Sequence, residues 1–234
     1  MTVAVVCRLA TFGISLALLV SVVGERLAHP AQVRAYDTLD SRLSRVAVIG
    51  DSYTTGTDEG GLGPNSWTAR AWQTLASGGL RITADVAAEG RAGYVVPGDH
   101  DSVFEDLTAK AVKPDDALVV FFGSRNDQGV DSGLLNERAR GTFDLARHLA
   151  PSARFLVIGP PWLSADVPDS MLAVRDVLNA AARAAGAAFV DPIGGRWFVD
   201  RPDLIGPDAV HPNDAGHVYL ADKIAPLIRT QLRR

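Results

Sequence analysis

The order of apolar and polar positions after residue 44 predicts alternating strands and helices. Short apolar runs rich in β-branched and aromatic residues occupy residues 45–49, 82–87, 117–122, 154–158 and 187–190. Longer Ala-rich segments with a helical period follow them, at residues 66–77, 101–111, 133–150, 168–185 and 213–232. This alternation is typical of a parallel sheet covered by helices on both faces. We therefore predict an α/β fold with a parallel five-stranded sheet.

The N-terminal segment follows a different pattern. Residues 9–24 carry no charged side chain, and Arg8 is the only charged side chain before them. An uncharged run of this length after a basic residue is typical of an export signal peptide. Counted together with the residues before Arg8, the segment is also long enough to span a bilayer as an uncleaved anchor. Residues 1–24 are therefore expected to be a signal peptide or an N-terminal membrane anchor, and the protein to be secreted or membrane-anchored at the cell envelope.

Residues 25–44 are polar, contain a proline and change charge sign every few positions, which predicts a linker or a short surface helix before a domain at residues 45–234. The 234 residues are 47% hydrophobic and 21% charged, which suits one domain with a sizeable core. The formal net charge of −4 lacks the basic excess that nucleic-acid binding requires. Because Cys7 is the single cysteine, a disulfide scaffold and a cysteine-ligated zinc site are excluded.

Reactive residue types follow the predicted strands. In an open α/β sheet the functional site lies beyond the carboxyl ends of the strands. Four loops there read GDSYTTG at residues 50–56, EGRAG at 89–93, GSRND at 123–127 and DAVHPN at 208–213. Together they offer a serine, accessible glycines, an amide side chain and a carboxylate–imidazole pair. This set of groups is the one that acyl transfer needs.

Each group answers a requirement of that chemistry. A serine hydroxyl is a weak nucleophile at neutral pH, so an imidazole must remove its proton and an acceptor must orient the imidazole. Asp208 and His211 are three residues apart and fit on one turn. The tetrahedral intermediate also needs fixed N–H donors, which glycine backbone and the amide of Asn126 supply.

In their order along the chain, the four motifs resemble the signature blocks of the SGNH hydrolases, also called GDSL esterases and lipases. The resemblance covers about residues 45–232 and implies a flavodoxin-like three-layer α/β/α sandwich, the SGNH hydrolase fold. It implies Ser52 as the nucleophile, His211 as the general base and Asp208 as the orienting acid. It also implies an oxyanion hole formed by the main-chain N–H groups of Ser52 and Gly93 and by the side chain of Asn126.

Two positions depart from the family pattern. Arg125 is an extra residue in the third block, and Ala88 stands in the second block where the family often has asparagine. The first departure still leaves Asn126 as the amide donor. The second leaves open whether Gly93 or Gly90 presents the glycine N–H.

Substrate contacts are assigned to three further residues: Arg125, beside the amide donor, and Trp162 and Trp197, after the fourth and fifth strands. Each has a structural alternative, an ion pair for the arginine and loop packing for the tryptophans. The remaining histidines are assigned no chemistry: His217 is predicted to pack or cap within the last helix, and His29, His100 and His148 are predicted to lie at the surface.

The sequence therefore predicts a monomeric serine esterase that hydrolyses O-acyl bonds through an acyl-enzyme, with no metal and no cofactor. The expected substrates are small-molecule, glycan or lipid esters of the cell envelope, and membrane association is expected only through residues 1–24. Two alternatives stay open. One is a non-catalytic envelope-binding domain of the same fold, and the other is an acyltransferase that uses the same residues.

Overall fold

The computed structural model describes residues 43–233. The predicted signal peptide or anchor at residues 1–24 and nearly all of the linker at 25–44 lie outside these residues and stay predictions. The last residue of that linker, Ser44, already belongs to the first strand. Among residues 43–233, no helix has both the length and the apolar composition needed to cross a membrane.

Five strands form one sheet in which every neighbouring pair is parallel. They are β1 (Ser44–Gly50), β2 (Ile82–Ala88), β3 (Leu118–Phe122), β4 (Arg154–Ile158) and β5 (Ala188–Val190). Their order across the sheet is β2-β1-β3-β4-β5, the flavodoxin-like order. The predicted fold class and sheet are thus confirmed, with strand ends within about two residues of the sequence pattern.

Six α-helices lie among residues 43–233, five between strands and the sixth after β5. They are α1 (Ser52–Thr55), α2 (Trp67–Ser77), α3 (Phe104–Ala111), α4 (Ser132–Leu149), α5 (Asp169–Ala184) and α6 (Asp214–Arg233). The four-residue helix α1 is too short to show a period in the sequence. Helix α3 begins three residues later than predicted, because Asp101 has a φ of 64°, which is incompatible with a right-handed helix.

The helices pack on both faces of the sheet in three layers. Side chains of a strand point alternately to the two faces of the sheet. In β1, Val46 and Val48 pack with apolar residues of α2 and α6 on one face. Ala47 and Ile49 pack with residues of α3, α4 and α5 on the other. All five residues of β3 are buried, as expected for a strand covered on both sides.

The strand order places the functional loops. Strand β1 lies between β2 and β3 in the sheet. The connection after β1 runs to β2 on one side, and the connection after β3 runs to β4 on the other, so the two connections diverge at the carboxyl ends of β1 and β3. Such a switch point is where open α/β sheets bind their ligands. The loops after β1 and β3, with Ser52 and Asn126, therefore emerge beside each other.

Candidate active site

Ser52 lies in a sharp turn between β1 and α1. Strand β1 ends at Gly50, and Ser52 is the first residue of the helix. Asp51 caps this helix, since its Oδ1 accepts the backbone N–H of Tyr53 at 2.9 Å. A Cβ at position 50 would collide with the side chain of Thr54, so the turn requires glycine there. The first N–H of a helix has no acceptor within the helix, which leaves the Ser52 N–H available.

The structure brings Ser52, His211 and Asp208 into one chain of hydrogen bonds. The Ser52 Oγ lies 3.0 Å from Nε2 of His211. Nδ1 of the same ring lies 2.5 Å from Oδ2 of Asp208. The serine is thus within reach of a base whose second nitrogen is held by a carboxylate, as the sequence predicts.

The turn from Asp208 to His211 is organised by the aspartate itself. Oδ1 of Asp208 accepts the backbone N–H groups of Val210 at 2.8 Å and of His211 at 2.9 Å. Desolvation acts to raise the pKa of Asp208, but the hydrogen bonds from the His211 backbone, the His211 ring and the Val210 backbone outweigh it, so its pKa lies below the usual range. The carboxylate is therefore ionised throughout the neutral range.

The amide of Asn126 lies against the loop after β2. Its Nδ2 donates to the Ala92 carbonyl oxygen at 2.9 Å. Because a side-chain amide nitrogen carries two hydrogens, one donor remains for another acceptor.

The two candidate glycines differ in what their N–H groups do. The N–H of Gly93 donates to the Val96 carbonyl oxygen at 2.8 Å, so in this structure it is not free to bind an oxyanion. Gly90 lines the cavity that contains Ser52 and His211, and its N–H has no acceptor in the described part of the chain. The geometry therefore departs from the expectation for Gly93. The Gly93 N–H is bound within a short turn from residue 93 to residue 96. Such a turn leaves no periodic pattern in the sequence.

Asp127 is a residue that sequence reasoning left unassigned. It is fully buried, and its carboxylate accepts the backbone N–H groups of Tyr94, Val95 and Val96 at 2.7 to 3.0 Å. The Ser124 hydroxyl donates to the same carboxylate at 2.6 Å. Asp127 thus ties the loop after β2 to the loop that carries Asn126. The sequence signal that could have identified Asp127 is its position directly after Asn126, the predicted amide donor.

A second buried acid, Asp51, lies between the same loops. Burial raises its pKa to about 7, against the opposing hydrogen bond from the Tyr53 N–H, and the negative charge of Asp127 adds to the increase. Near neutral pH the neutral and ionised forms of Asp51 therefore coexist.

Arg125 and Trp162 form one unit beside Asn126. The Arg125 guanidinium carbon lies 4.5 Å from the centre of the Trp162 ring, a cation–π contact. The indole N–H donates to the Asp166 carbonyl oxygen at 3.0 Å. Nη1 of Arg125 is buried and has no hydrogen-bond partner among residues 43–233. The ion pair considered for Arg125 is absent from that part of the chain, whereas the stacked tryptophan holds the arginine in place.

The structure also places Trp197 and three of the remaining histidines. Trp197 is 7% exposed in the core cluster shared with α6, so its position supports packing rather than contact with a substrate. His217 is buried and its Nδ1 accepts the Trp67 N–H at 3.3 Å; burial lowers its pKa to about 4, so it is neutral. His100 and His148 are exposed, but His100 also lines the Ser52 cavity. His29 lies outside the described residues.

Two cavities lie on either side of the His211 turn. The first, of about 630 Å³, contains Ser52 and His211, and its other polar side chains are Thr55, Thr57, Glu89, Arg91, Asp99, His100 and Lys110. The second, of about 400 Å³, borders Gly206 and Ala209 of the turn. Its lining combines the apolar side chains of Leu163, Phe198, Pro202 and Ile205 with the polar ones of Ser164, Asp200 and Arg201. Both are in the size range of small-molecule sites.

Among residues 43–233, no group of three or more His, Cys, Asp or Glu side chains is placed to hold a metal ion.

Comparison with known proteins gives consistent matches. The family model of the GDSL-like lipase/acylhydrolase family matches residues 48–219. A GDSL lipase of Mycobacterium tuberculosis is 69% identical over 230 residues, which cover 96% of this chain and 98% of the relative.

Solved structures share the fold at lower identity. The structure of TesA superposes with a TM-score of 0.64 at 22% identity, covering 81% of this chain and all of TesA. Est24, a carbohydrate acetylesterase from Sinorhizobium meliloti, gives a TM-score of 0.59 at 17% identity, covering 80% of this chain and 99% of that one. At these identities the likeness shows the fold.

Proposed function

The chain belongs to the GDSL-like lipase/acylhydrolase family and is an SGNH-type ester hydrolase, and from this premise we propose that Ser52, His211 and Asp208 form its catalytic triad. The observation that carries the proposal is the continuous chain of contacts from Asp208 through His211 to the Ser52 hydroxyl, at 2.5 and 3.0 Å. The ionised Asp208 favours the tautomer with hydrogen on Nδ1, which leaves Nε2 to accept the serine proton.

The reaction follows from these positions. The Ser52 Oγ bonds to the ester carbonyl carbon while its proton passes to Nε2 of His211, and the carbonyl oxygen becomes an oxyanion. When the tetrahedral intermediate collapses, the carbon–alkoxy bond breaks and the alcohol leaves with the proton from His211. Water then gives a proton to His211, attacks the acyl-enzyme and releases the carboxylic acid, which restores the serine.

The oxyanion is stabilised by N–H donors on three loops. The Ser52 N–H at the start of α1 and the free hydrogen of the Asn126 amide supply two of them. Of the two glycines, Gly90 is the one whose N–H is unengaged and whose residue lines the cavity with Ser52, so it is the third donor that this geometry favours.

The cavity around Ser52 is lined by charged and hydroxyl side chains, among them Thr55, Glu89 and Arg91, which suit a hydroxylated or charged group of the ester. Arg125, stacked on Trp162 next to Asn126, is the side chain that we assign to a polar group of the substrate. We place the substrate among carbohydrate O-acyl groups and lipid esters of the cell envelope. The apolar N-terminal segment supports that location, and Est24, a solved structure of the same fold, is a carbohydrate acetylesterase.

Covalent labelling tests the nucleophile. A fluorophosphonate probe reacts with an activated serine, and peptide mass mapping identifies the residue modified. We expect a single adduct on Ser52 that forms in step with the loss of esterase activity. Inactivation with the adduct on another serine would contradict the proposal.

Hydrolysis and acyl transfer use the same groups and differ in the acceptor. Adding a carbohydrate or glycerol acceptor to the ester assay separates them. Under the hydrolase proposal the released carboxylic acid accounts for all the ester consumed, whereas a transferase forms a new ester instead.

A further inference from the structure

Tyr53, the residue after Ser52, connects the turn of the nucleophile to the turn of the base. Its hydroxyl donates a hydrogen bond to the Val210 carbonyl oxygen at 2.6 Å, between positions 157 residues apart. Val210 directly precedes His211. The contact therefore fixes the distance between the two segments that must meet for proton transfer.

The peptide group between Val210 and His211 is held at both of its polar atoms. Its oxygen accepts from Tyr53, and its N–H donates to Oδ1 of Asp208 at 2.9 Å. Because a peptide group is planar, holding the oxygen and the nitrogen fixes its orientation. The direction in which the His211 side chain leaves the backbone is fixed with it.

The His211 turn contains a residue in an unfavourable conformation. Ala209, in its middle, has a φ of 56°, a left-handed conformation that residues with a Cβ seldom adopt. Such a conformation persists only where the surroundings impose it. Asp208 supports the turn from within, and the bond from Tyr53 adds a contact from a distant part of the chain.

Tyr53 is itself rigidly held. Its ring is 2% exposed and packs edge-on against Phe122 and Phe198, with ring centres 6.1 and 6.3 Å away. Burial raises its pKa to about 12, although nearby Arg125 acts to lower it. The hydroxyl therefore keeps its proton, and remains a donor, at every pH at which an esterase is assayed.

We propose that Tyr53 is a positioning residue for ester hydrolysis, whose hydroxyl holds the backbone before His211 so that Nε2 faces the Ser52 hydroxyl. This inference rests on the proposed function of Ser52 and His211. Tyr53 acts through the main chain of the His211 turn and transfers no proton to the substrate.

The test compares two tyrosines that pack against Phe198. Tyr53→Phe removes one oxygen atom and keeps the packed ring. Tyr219→Phe is the control, because it makes the same one-atom change in a ring whose centre lies 5.6 Å from that of Phe198 and whose hydroxyl has no hydrogen-bond partner among residues 43–233. For p-nitrophenyl butyrate, we expect Tyr53→Phe to lower kcat about tenfold, with KM changed less than about twofold, from the loss of one hydrogen bond that aligns the base. Tyr219→Phe keeps the wild-type kcat.

A second experiment distinguishes a positioning role of Tyr53 from a general structural role. All variants are assayed at a temperature at which their melting curves show full folding. In a His211→Ala background, Tyr53→Phe should not lower the residual rate further, because no imidazole remains to be positioned.

A kcat for Tyr53→Phe equal to that of Tyr219→Phe, or the same tenfold loss in the His211→Ala background, would overturn the inference. Ser52→Ala, measured alongside, distinguishes the two proposals. If Ser52→Ala remains active, the proposed function fails. If it is inactive while Tyr53→Phe is fully active, only the role of Tyr53 fails.

Discussion

The carboxylate of Asp127 accepts the backbone N–H of Tyr94 at 2.7 Å, although the two residues are 33 positions apart. The same carboxylate also holds the next two N–H groups of that loop. One buried side chain therefore fixes the loop after β2 against the loop that presents Asn126. The arrangement of the proposed oxyanion hole depends on this link between loops as well as on the residues within it.

Replacing Asp127 with alanine should destabilise the fold and impair the reaction together. The change leaves the buried N–H of Tyr94 and the partly buried N–H groups of Val95 and Val96 without this acceptor, and we expect the free energy of unfolding to fall by about 3 kcal/mol. For a domain of this size that corresponds to a Tm lower by about 6–12 °C, measured by thermal melting. The control is Asp131→Ala, which removes an exposed helix cap whose Oδ1 accepts the Leu134 N–H at 2.9 Å and should cost about 1 kcal/mol. Equal melting temperatures for the two variants would contradict the role of Asp127.

Replacing Asn126 with alanine should act mainly on the transition state. Loss of one oxyanion donor lowers kcat by about 10²–10³-fold at comparable sites, with little change in KM. The matched control is Gln128→Ala, an exposed amide two residues further along whose Nε2 donates to Ser170 at 3.0 Å. Steady-state kinetics on a short-chain ester measures both. A change confined to KM would mean that Asn126 binds the ester before reaction rather than the oxyanion.

Asp208→Asn tests the orienting acid. The amide preserves the size of the side chain but removes the charge that favours the required His211 tautomer, and we expect kcat to fall by about 10²–10⁴-fold. Because the pKa of Asp208 is held below its usual range, wild-type activity should not lose this carboxylate until the pH falls below the ordinary range for aspartate. The pH profile of kcat/KM measures this point. A wild-type acid limb assigned to Asp208 near pH 5 would disagree with the structure.

Asp51 gives the fold a pH dependence of its own. Its pKa in the folded state is raised from 3.8 to about 7, so folding favours its neutral form. Its contribution to stability is therefore greatest below pH 3.8 and is lost as the pH rises towards 7, by up to about 4 kcal/mol. Asp51→Asn retains the oxygen that caps Tyr53 and cannot ionise. The Tm of this variant relative to the wild type should therefore rise between pH 5 and pH 8.5, and a constant difference would contradict the raised pKa.

The sheet and its flanking helices could be predicted from the sequence because strands and helices each show a short period of apolar positions. The run LVVFF of β3 and the Ala-rich period of α4 each identify an element without knowledge of its neighbours. The order of the four motifs also predicted which loops would meet, since the carboxyl ends of parallel strands share one edge.

Features that depend on contacts between distant residues could not be predicted. The cap of Asp127 on the loop after β2 and the bond from Tyr53 to Val210 follow from how loops fold against one another. The engaged N–H of Gly93 belongs to a short turn within one loop, which no period in the sequence marks. Trp197 was open to two interpretations because a tryptophan after a strand can pack inward or line a groove. Only its burial among core residues favours packing.

The central claim is that Ser52 is the nucleophile, and the most direct measurement is hydrolysis of p-nitrophenyl acetate and octanoate by the wild type and by Ser52→Ala. The account predicts that both esters are cleaved by the wild type and that the variant loses at least about 10³-fold in kcat for each while keeping its Tm. Equal rates for the two proteins would contradict it.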